Sequence, residues 1–309
     1  MIKKQRFGIE IEMTGITREK AANILANTLN SSVYEHISSY DARHIKDSED
    51  RTWKIVYDSS IRSENHTGHI ILDNFKLYRV ELVSPILTYD DIELLQSIVR
   101  DLKKSGAKVN ESCGIHIHID GANHCPKSLR RLVNFIIARQ DLINEALENK
   151  NRTNEWCKKL SPALLSDMKK NKEISKTEIE RIWYSESNDG YWEGISHEHY
   201  NRTRYHGINL HSYFAKGTVE FRLFNSTLHA GKVKAYIQFC LAISAWAIES
   251  DDKISFKSMD YYTAKQKVTI MRSILTNRLG LTGSEFKTCR LHLMAPLKRT
   301  AELARDRVA

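Results

Sequence analysis

In the first third of the chain, apolar residues recur either at every second position or at helical spacing, and short polar runs separate the two patterns. "FGIEIEM" alternates and predicts a first strand. A helix is expected over about Thr17 to Leu29, with Thr17 positioned to cap it and Glu19 and Lys20 in its first turn. The polar stretch from Ser38 to Arg51 reads as a loop. "TWKIVYD" and "LYRVELVSP" alternate again, as two strands joined by the turn-rich "RSENHTGH". From Tyr89 to Lys104 the positions Ile92, Leu95, Ile98, Val99 and Leu102 fall on one helical face, and Gly106 supplies a stop.

"GIHIHID" predicts a further strand, and residues 126–150 a long helix opened by Pro126 and carrying Leu129, Leu132, Val133, Ile136 and Ile137. The chain then reads as polar and helical to about residue 184. After a loop around "ESNDGYWEG", the segments "GINLHSYF" and "GTVEFRLF" read as two strands of a hairpin turning at "AKG". A buried helix is expected from about Lys232 to Glu249, and helices broken near Gly280 and Pro296 over the last sixty residues. Strands fall between helices too irregularly for a doubly wound parallel fold. The pattern therefore predicts an α+β fold with one largely antiparallel sheet.

Composition narrows the classes of function. With 309 residues, of which 41% are apolar, the chain can build one large core or two modest ones. Lysine and arginine exceed acidic residues by 47 to 38, and the net charge of +9 favours anionic ligands. The basic residues are dispersed, and the mixed run "MKKNKEISKTEIER" reads as a solvated helix face, so nucleic acid is not the expected partner. No apolar stretch approaches the roughly 18 residues of a membrane span. The start "MIKKQRFGIEIEM" lacks a signal peptide's uncharged centre, and a cytoplasmic location is expected. The five cysteines contain no CxxC pair, which argues against a zinc ribbon or a disulfide framework.

Charged residues interrupt almost every apolar strand: Glu10 and Glu12, Asp58, Glu81, His116 and His118, Glu220 and Arg222. Residues two apart on a strand share a face, about 7 Å apart, so each pair points one way. Taken singly, Glu10 and Glu12 suit the solvent face of an edge strand, His116 and His118 suit satisfied sheet histidines, and Glu220 with Arg222 suits an ion pair. Together they resemble a ligand floor, because buried carboxylates are costly unless paired or bound to metal. Several carboxylates with one or two imidazoles favour hard cations such as Mg²⁺ or Mn²⁺ over zinc. Such metals usually serve phosphates, and Arg222 suits a developing phosphoryl charge.

The ordered set "FGIEIE", "WKIVYDSS", "VELVSP", "CGIHIHID", "INL" and "GTVEFRLF" resembles the amidoligase family, a branch of the carboxylate-amine ligase superfamily with glutamine synthetase and glutamate-cysteine ligase. The likeness covers about residues 6 to 250. It implies a catalytic domain over 1–250 with a curved, glutamine synthetase-like sheet bearing helices on one face; residues 251–309 lie outside the likeness and are expected to form a helical extension packed on it. It also implies an ATP-dependent ligase that activates a carboxylate as an acyl phosphate, joins it to an amine, and works on a multi-Mg²⁺ site.

Carried over by position, the resemblance implies that Glu10 shares one metal with His116 and Glu220, and that Glu12 shares a second with Glu81, Asp58 being a further ligand. His118 would contact the nucleotide phosphates and Arg222 the transferred phosphoryl group. Lys54, Ser59, Arg204 and Asn209 lie near matched motifs and are candidates for nucleotide or substrate contact. "DSS" stands where the family has a glycine after the aspartate, which alters the turn at Asp58. Two other classes remain open: a metal-dependent phosphohydrolase or nuclease, and a non-catalytic nucleotide-binding protein. The substrates' identities and the oligomeric state are not encoded in any motif.

Overall fold

The computed structural model describes residues 1–36, 41–153, 156–170, 172–185, 201–251 and 258–306. Eight strands are found among them: β1 (Phe7–Met13), β2 (Val33–His36), β3 (Ala42–Lys46), β4 (Thr52–Val56), β5 (Val80–Val83), β6 (Gly114–Asp120), β7 (Ile208–Asn209) and β8 (Thr218–Asn225). They make one open antiparallel sheet in the order β2-β3-β4-β5-β1-β6-β8-β7, which is the α+β class that the sequence predicts. The chain divides into two compact units. One comprises Arg6–Ile117 and Phe224–Tyr236, the other Met1–Gln5, His118–Leu223 and Ile237–Ala309, so the boundary runs through β6 and β8. The loop expected around "ESNDGYWEG" lies outside the described residues.

In the unit built on Arg6–Ile117, strand alternation separates two faces. Phe7, Ile9, Ile11 and Met13 of β1, Trp53 and Ile55 of β4 and Val80 and Leu82 of β5 are buried apolar residues on one face, which leaves Glu10, Glu12, Lys54 and Glu81 on the other. Helix α1 (Arg18–Thr28) is capped as predicted, with the Thr17 side chain accepting from the Lys20 N–H, and it packs on β3 and β4. Helix α2 (Ile92–Lys104) buries the five apolar residues singled out by periodicity.

The stretch Ser38 to Arg51 is not a plain loop, because it contains β3 and its turn into β4. Only Ala42 and Ile45 of β3 are buried, three residues apart, so no period of two shows. The turn is locked by Asp47, which accepts from the Arg51 and Glu49 N–H groups at 3.0 Å each and from Trp53 Nε1 at 3.0 Å. Arg51 in turn holds Asp91 with two bonds of 2.9 Å.

The other unit is mainly helical. It holds α3 (Pro126–Leu147), α4 (Pro162–Lys170), α5 (Lys176–Ser185), α6 (His211–Lys216), α8 (Ala264–Ser273) and α9 (Lys287–Asp306). Helix α7 (Ala230–Glu249) carries the apolar run expected from about Lys232. The expected hairpin is corrected here: "GINLHSYF" is a strand only at Ile208–Asn209. Asn209 Oδ1 accepts from the Ser212 N–H and turns the chain into α6, which ends on Gly217 in the left-handed region at φ +75. The break expected at Gly280 is present, at φ +64, but Pro296 does not end α9. Pro296 removes one helical hydrogen bond, yet it is buried with Leu293, Met294 and Leu297, and this packing holds the helix together. Among the described residues no helix is long and apolar enough to cross a membrane.

Candidate functional site

The carboxylate face of the Arg6–Ile117 unit gathers Glu12, Glu81 and His116, one ligand atom from each lying within 4.8 Å of the others. Strand register explains the meeting, since Glu12 on β1 stands directly opposite Glu81 on β5. His116 comes from β6, where Ile115 and Ile117 fill the apolar face and turn the intervening imidazole to the opposite side. Glu12 and His116 are buried and Glu81 partly so.

Hydrogen bonds hold the cluster in place. Glu12 Oε2 accepts from the Gly114 N–H at 2.6 Å, and the Glu12 backbone carbonyl accepts from Ser226 Oγ at 2.6 Å. His116 Nδ1 meets Glu10 Oε2 at 2.9 Å. A carboxylate can only accept, so Nδ1 carries a proton, and the other ring nitrogen, Nε2, lies 3.7 Å from Glu12 Oε1. An imidazole oriented by a carboxylate through one nitrogen and aimed with the other at an oxygen-rich cluster is the usual geometry of a metal-ligating histidine. Two carboxylates and one imidazole fit a hard divalent cation better than zinc.

The ligand group does not include the other predicted residues of this unit. Asp58 Oδ1 accepts from the backbone N–H and the side-chain hydroxyl of Ser60, which closes a local turn. Lys54 shares a cross-strand row with Glu10, with Val83 between them, and is exposed. Ser59 is also exposed, and its carbonyl accepts from Arg79 at 2.7 Å.

In the other unit a second polar group is built around Glu220. Its two oxygens accept from Arg222 NH1 and Asn209 Nδ2, each at 2.6 Å, and all three side chains are buried. Asn209 and Glu220 are register partners across β7 and β8, so two neighbouring strand residues serve one carboxylate. His118 Nδ1 meets Thr218 Oγ1 at 2.9 Å, and its Nε2 lies 3.9 Å from Glu220 Oε1. The guanidinium groups of Arg222 and Arg204 lie 6.0 and 5.7 Å from the Tyr205 ring.

Sequence reasoning passed over Gly114, Thr218 and Ser212, which respectively fix Glu12, fix His118 and support Thr218 through a 2.9 Å hydroxyl contact. Each sits next to or inside a strand motif that had been noted. A hydroxyl beside a histidine, or a backbone donor, leaves no pattern of its own.

A protein-family model described as "Putative amidoligase enzyme" matches residues 3–244. The matched span contains both polar groups. No curated protein matches the chain.

Proposed function

The chain belongs to the amidoligase family, and from that premise we propose that it is an ATP-dependent ligase joining a carboxylate to an amine in an amide or peptide-like bond. In the proposed reaction a carboxylate oxygen attacks the terminal phosphorus of ATP, forming an acyl phosphate and releasing ADP. The amine nitrogen then attacks the acyl carbon, the C–N bond forms, phosphate leaves, and the nitrogen loses a proton.

The observation that carries this reading is the Glu12–Glu81–His116 cluster, with donor chemistry suited to Mg²⁺ or Mn²⁺. A divalent cation held there would neutralise phosphate oxygens and lower the barrier to phosphoryl transfer. For Glu10, His116 and Glu220 as a second ligand set, and for Asp58, the assignment rests on the family resemblance alone. On the same basis Arg222 steadies the transferred group and His118 the nucleotide phosphates. Lys54, Ser59, Arg204 and Asn209 are assigned to nucleotide or substrate contact. Glu10 also orients His116, a task that its 2.9 Å bond supports.

The test is an ADP-release screen over amino acids and short peptides with Mg²⁺, followed by mass spectrometry of the products. A ligase forms ADP only when both a carboxylate and an amine are supplied, together with a condensation product. Turnover of phosphoesters without an acceptor would make the protein a phosphohydrolase instead. Nucleotide binding without any turnover would make it a binding protein.

A further inference from the structure

Arg152, in the helical unit, is only 3% exposed, and its Nε and NH1 have no hydrogen-bond partner among the described residues. It follows α3, where the Arg152 N–H donates to the Asn149 carbonyl at 2.9 Å while its own carbonyl accepts from the Trp156 and Cys157 N–H groups. Among the described residues no carboxylate pairs with it. Its side chain bonds to the Cys157 thiol, and the charges of both Arg152 and Arg222 bear on that sulfur. The thiol does not neutralise them, because burial raises its pKa and keeps it protonated.

Trp156 stands edge-on to Tyr205, with ring centroids 5.7 Å apart, and the same Tyr205 ring lies beside Arg222 and Arg204. Glu220, the acid nearest in role, already accepts from Arg222 and Asn209. Burying a guanidinium without an acid is among the costliest placements a side chain can have. Its planar fork is suited to a carboxylate or phosphate, which it can grip through two parallel bonds.

We propose that Arg152 forms an oxyanion subsite for a carboxylate or phosphate group. That the group belongs to a ligase reactant rests on the function proposed above; the anion binding itself does not.

The experiment uses the full chain without ATP, with orthophosphate and glutarate as probes, and follows the thermal midpoint of the wild type, Arg152→Met and Arg152→Lys. At least one anion is expected to raise the wild-type midpoint. Arg152→Met should lose that rise while melting, in anion-free buffer, at or above the wild-type temperature, since an unpaired buried charge has been removed. Arg152→Lys should retain the fold and bind the anion about tenfold more weakly, having charge without the fork. An orthophosphate response displaced by Mg²⁺–ADP assigns the subsite to nucleotide phosphate, and a response to glutarate assigns it to the substrate carboxylate.

The inference is overturned if neither anion moves the wild type, or if Arg152→Met keeps the full response. It is also overturned if Arg152→Met melts lower with its anion response intact, the behaviour of a purely structural arginine. Should Arg152→Met not fold, unchanged anion affinity in Arg152→Lys overturns it equally. Anion binding through Arg152 without carboxylate- and amine-dependent ADP release would sink the ligase reading alone. Ligase turnover that is the same in Arg152→Met as in the wild type would sink only the assignment of the bound anion to a ligase reactant.

Discussion

One oxygen of Glu12 accepts the Gly114 N–H while the other faces His116, and Glu81 stands opposite in register. Glutamine at position 12 keeps an acceptor for Gly114 but removes one of two like charges facing each other, an arrangement that weakens a sheet. Glu12→Gln is therefore expected to melt at or slightly above the wild-type temperature in chelator. If the proposed cation site is right, millimolar Mg²⁺ raises the wild-type midpoint and Glu12→Gln loses that rise. Calorimetry with and without Mg²⁺ checks this, and a large drop in chelator would mean that Glu12 is mainly structural. Glu220 is the opposite case, since it compensates the buried Arg222 and also accepts from Asn209. Glu220→Gln should cost about 2 kcal/mol or more in denaturant unfolding, because Arg222 is left without its acid. An unchanged midpoint would show that another acid compensates Arg222. Which site residues share a face was legible in the sequence, because the strand period of two fixes it for Glu10 and Glu12, His116 and His118, and Glu220 and Arg222. Arg152 was not legible, because it lies off the strands in a polar stretch where nothing separates a buried arginine from a solvated one.

At the scale of elements, the strands that read clearly are those with one fully apolar face, as in β1, where Phe7, Ile9, Ile11 and Met13 are all buried. Strand β3 was hidden because its two buried residues are three apart, and α6 because Asn209 turns the chain after only two strand residues. Pro296 was misread as a break because its cost is local, whereas the packing that offsets it comes from the tertiary fold. The loop that α6 makes between β7 and β8 yields a prediction. A Cβ on Gly121, at the end of β6, would lie 2.5 Å from the Gly217 carbonyl oxygen and 2.7 Å from the Tyr213 ring, neither of which can yield cheaply. A Cβ on Gly217 would meet nothing within 4 Å and would only be strained by its φ of +75. Gly121→Ala should thus lose about 3 kcal/mol and Gly217→Ala about 1 kcal/mol in urea unfolding. The reverse order would mean that the close approach of Gly121 to Gly217 is relaxed in solution. Because Gly121 follows the strand that carries His118, the proposed nucleotide role of His118 predicts that Gly121→Ala weakens ATP binding while Gly217→Ala leaves it nearly unchanged.

For the whole molecule, acidification should act on the two units in different pH ranges. In the helical unit, burial pushes the His124 pKa down to about 4, with Arg131 adding to the effect and Asp120 opposing it. Burial also lowers the pKa of His206. An unfolded imidazole takes up a proton below about pH 6.5, but the buried His124 does not until about pH 4. Between those values each step down in pH favours the unfolded chain, and His124 alone removes about 3 kcal/mol of stability. Above pH 6.5 both states are neutral and the residue contributes no slope. In the Arg6–Ile117 unit, burial would raise the carboxyl pKa values of Asp41, Asp47 and Asp91, but hydrogen bonds outweigh it and bring all three below 3.8. The bonds come from Arg18 and Arg43 to Asp41, from Trp53 and Arg51 to Asp47, and from Arg51 and Thr88 to Asp91. Their contribution is present above the ordinary carboxylate range and is lost as pH falls through it. Net charge sharpens the first loss, because a chain already at +9 gains further positive charge as its histidines protonate. Hydrogen exchange at pH 5 should therefore show the amides of α3 and α7 losing protection before those of β3 and β4. His124→Gln should flatten the stability profile between pH 6.5 and 4 and leave the decline below pH 4 in place. If β3 and β4 exchange first at pH 5, the aspartate network fails earlier than its hydrogen bonds predict and the assignment of the two pH ranges is wrong.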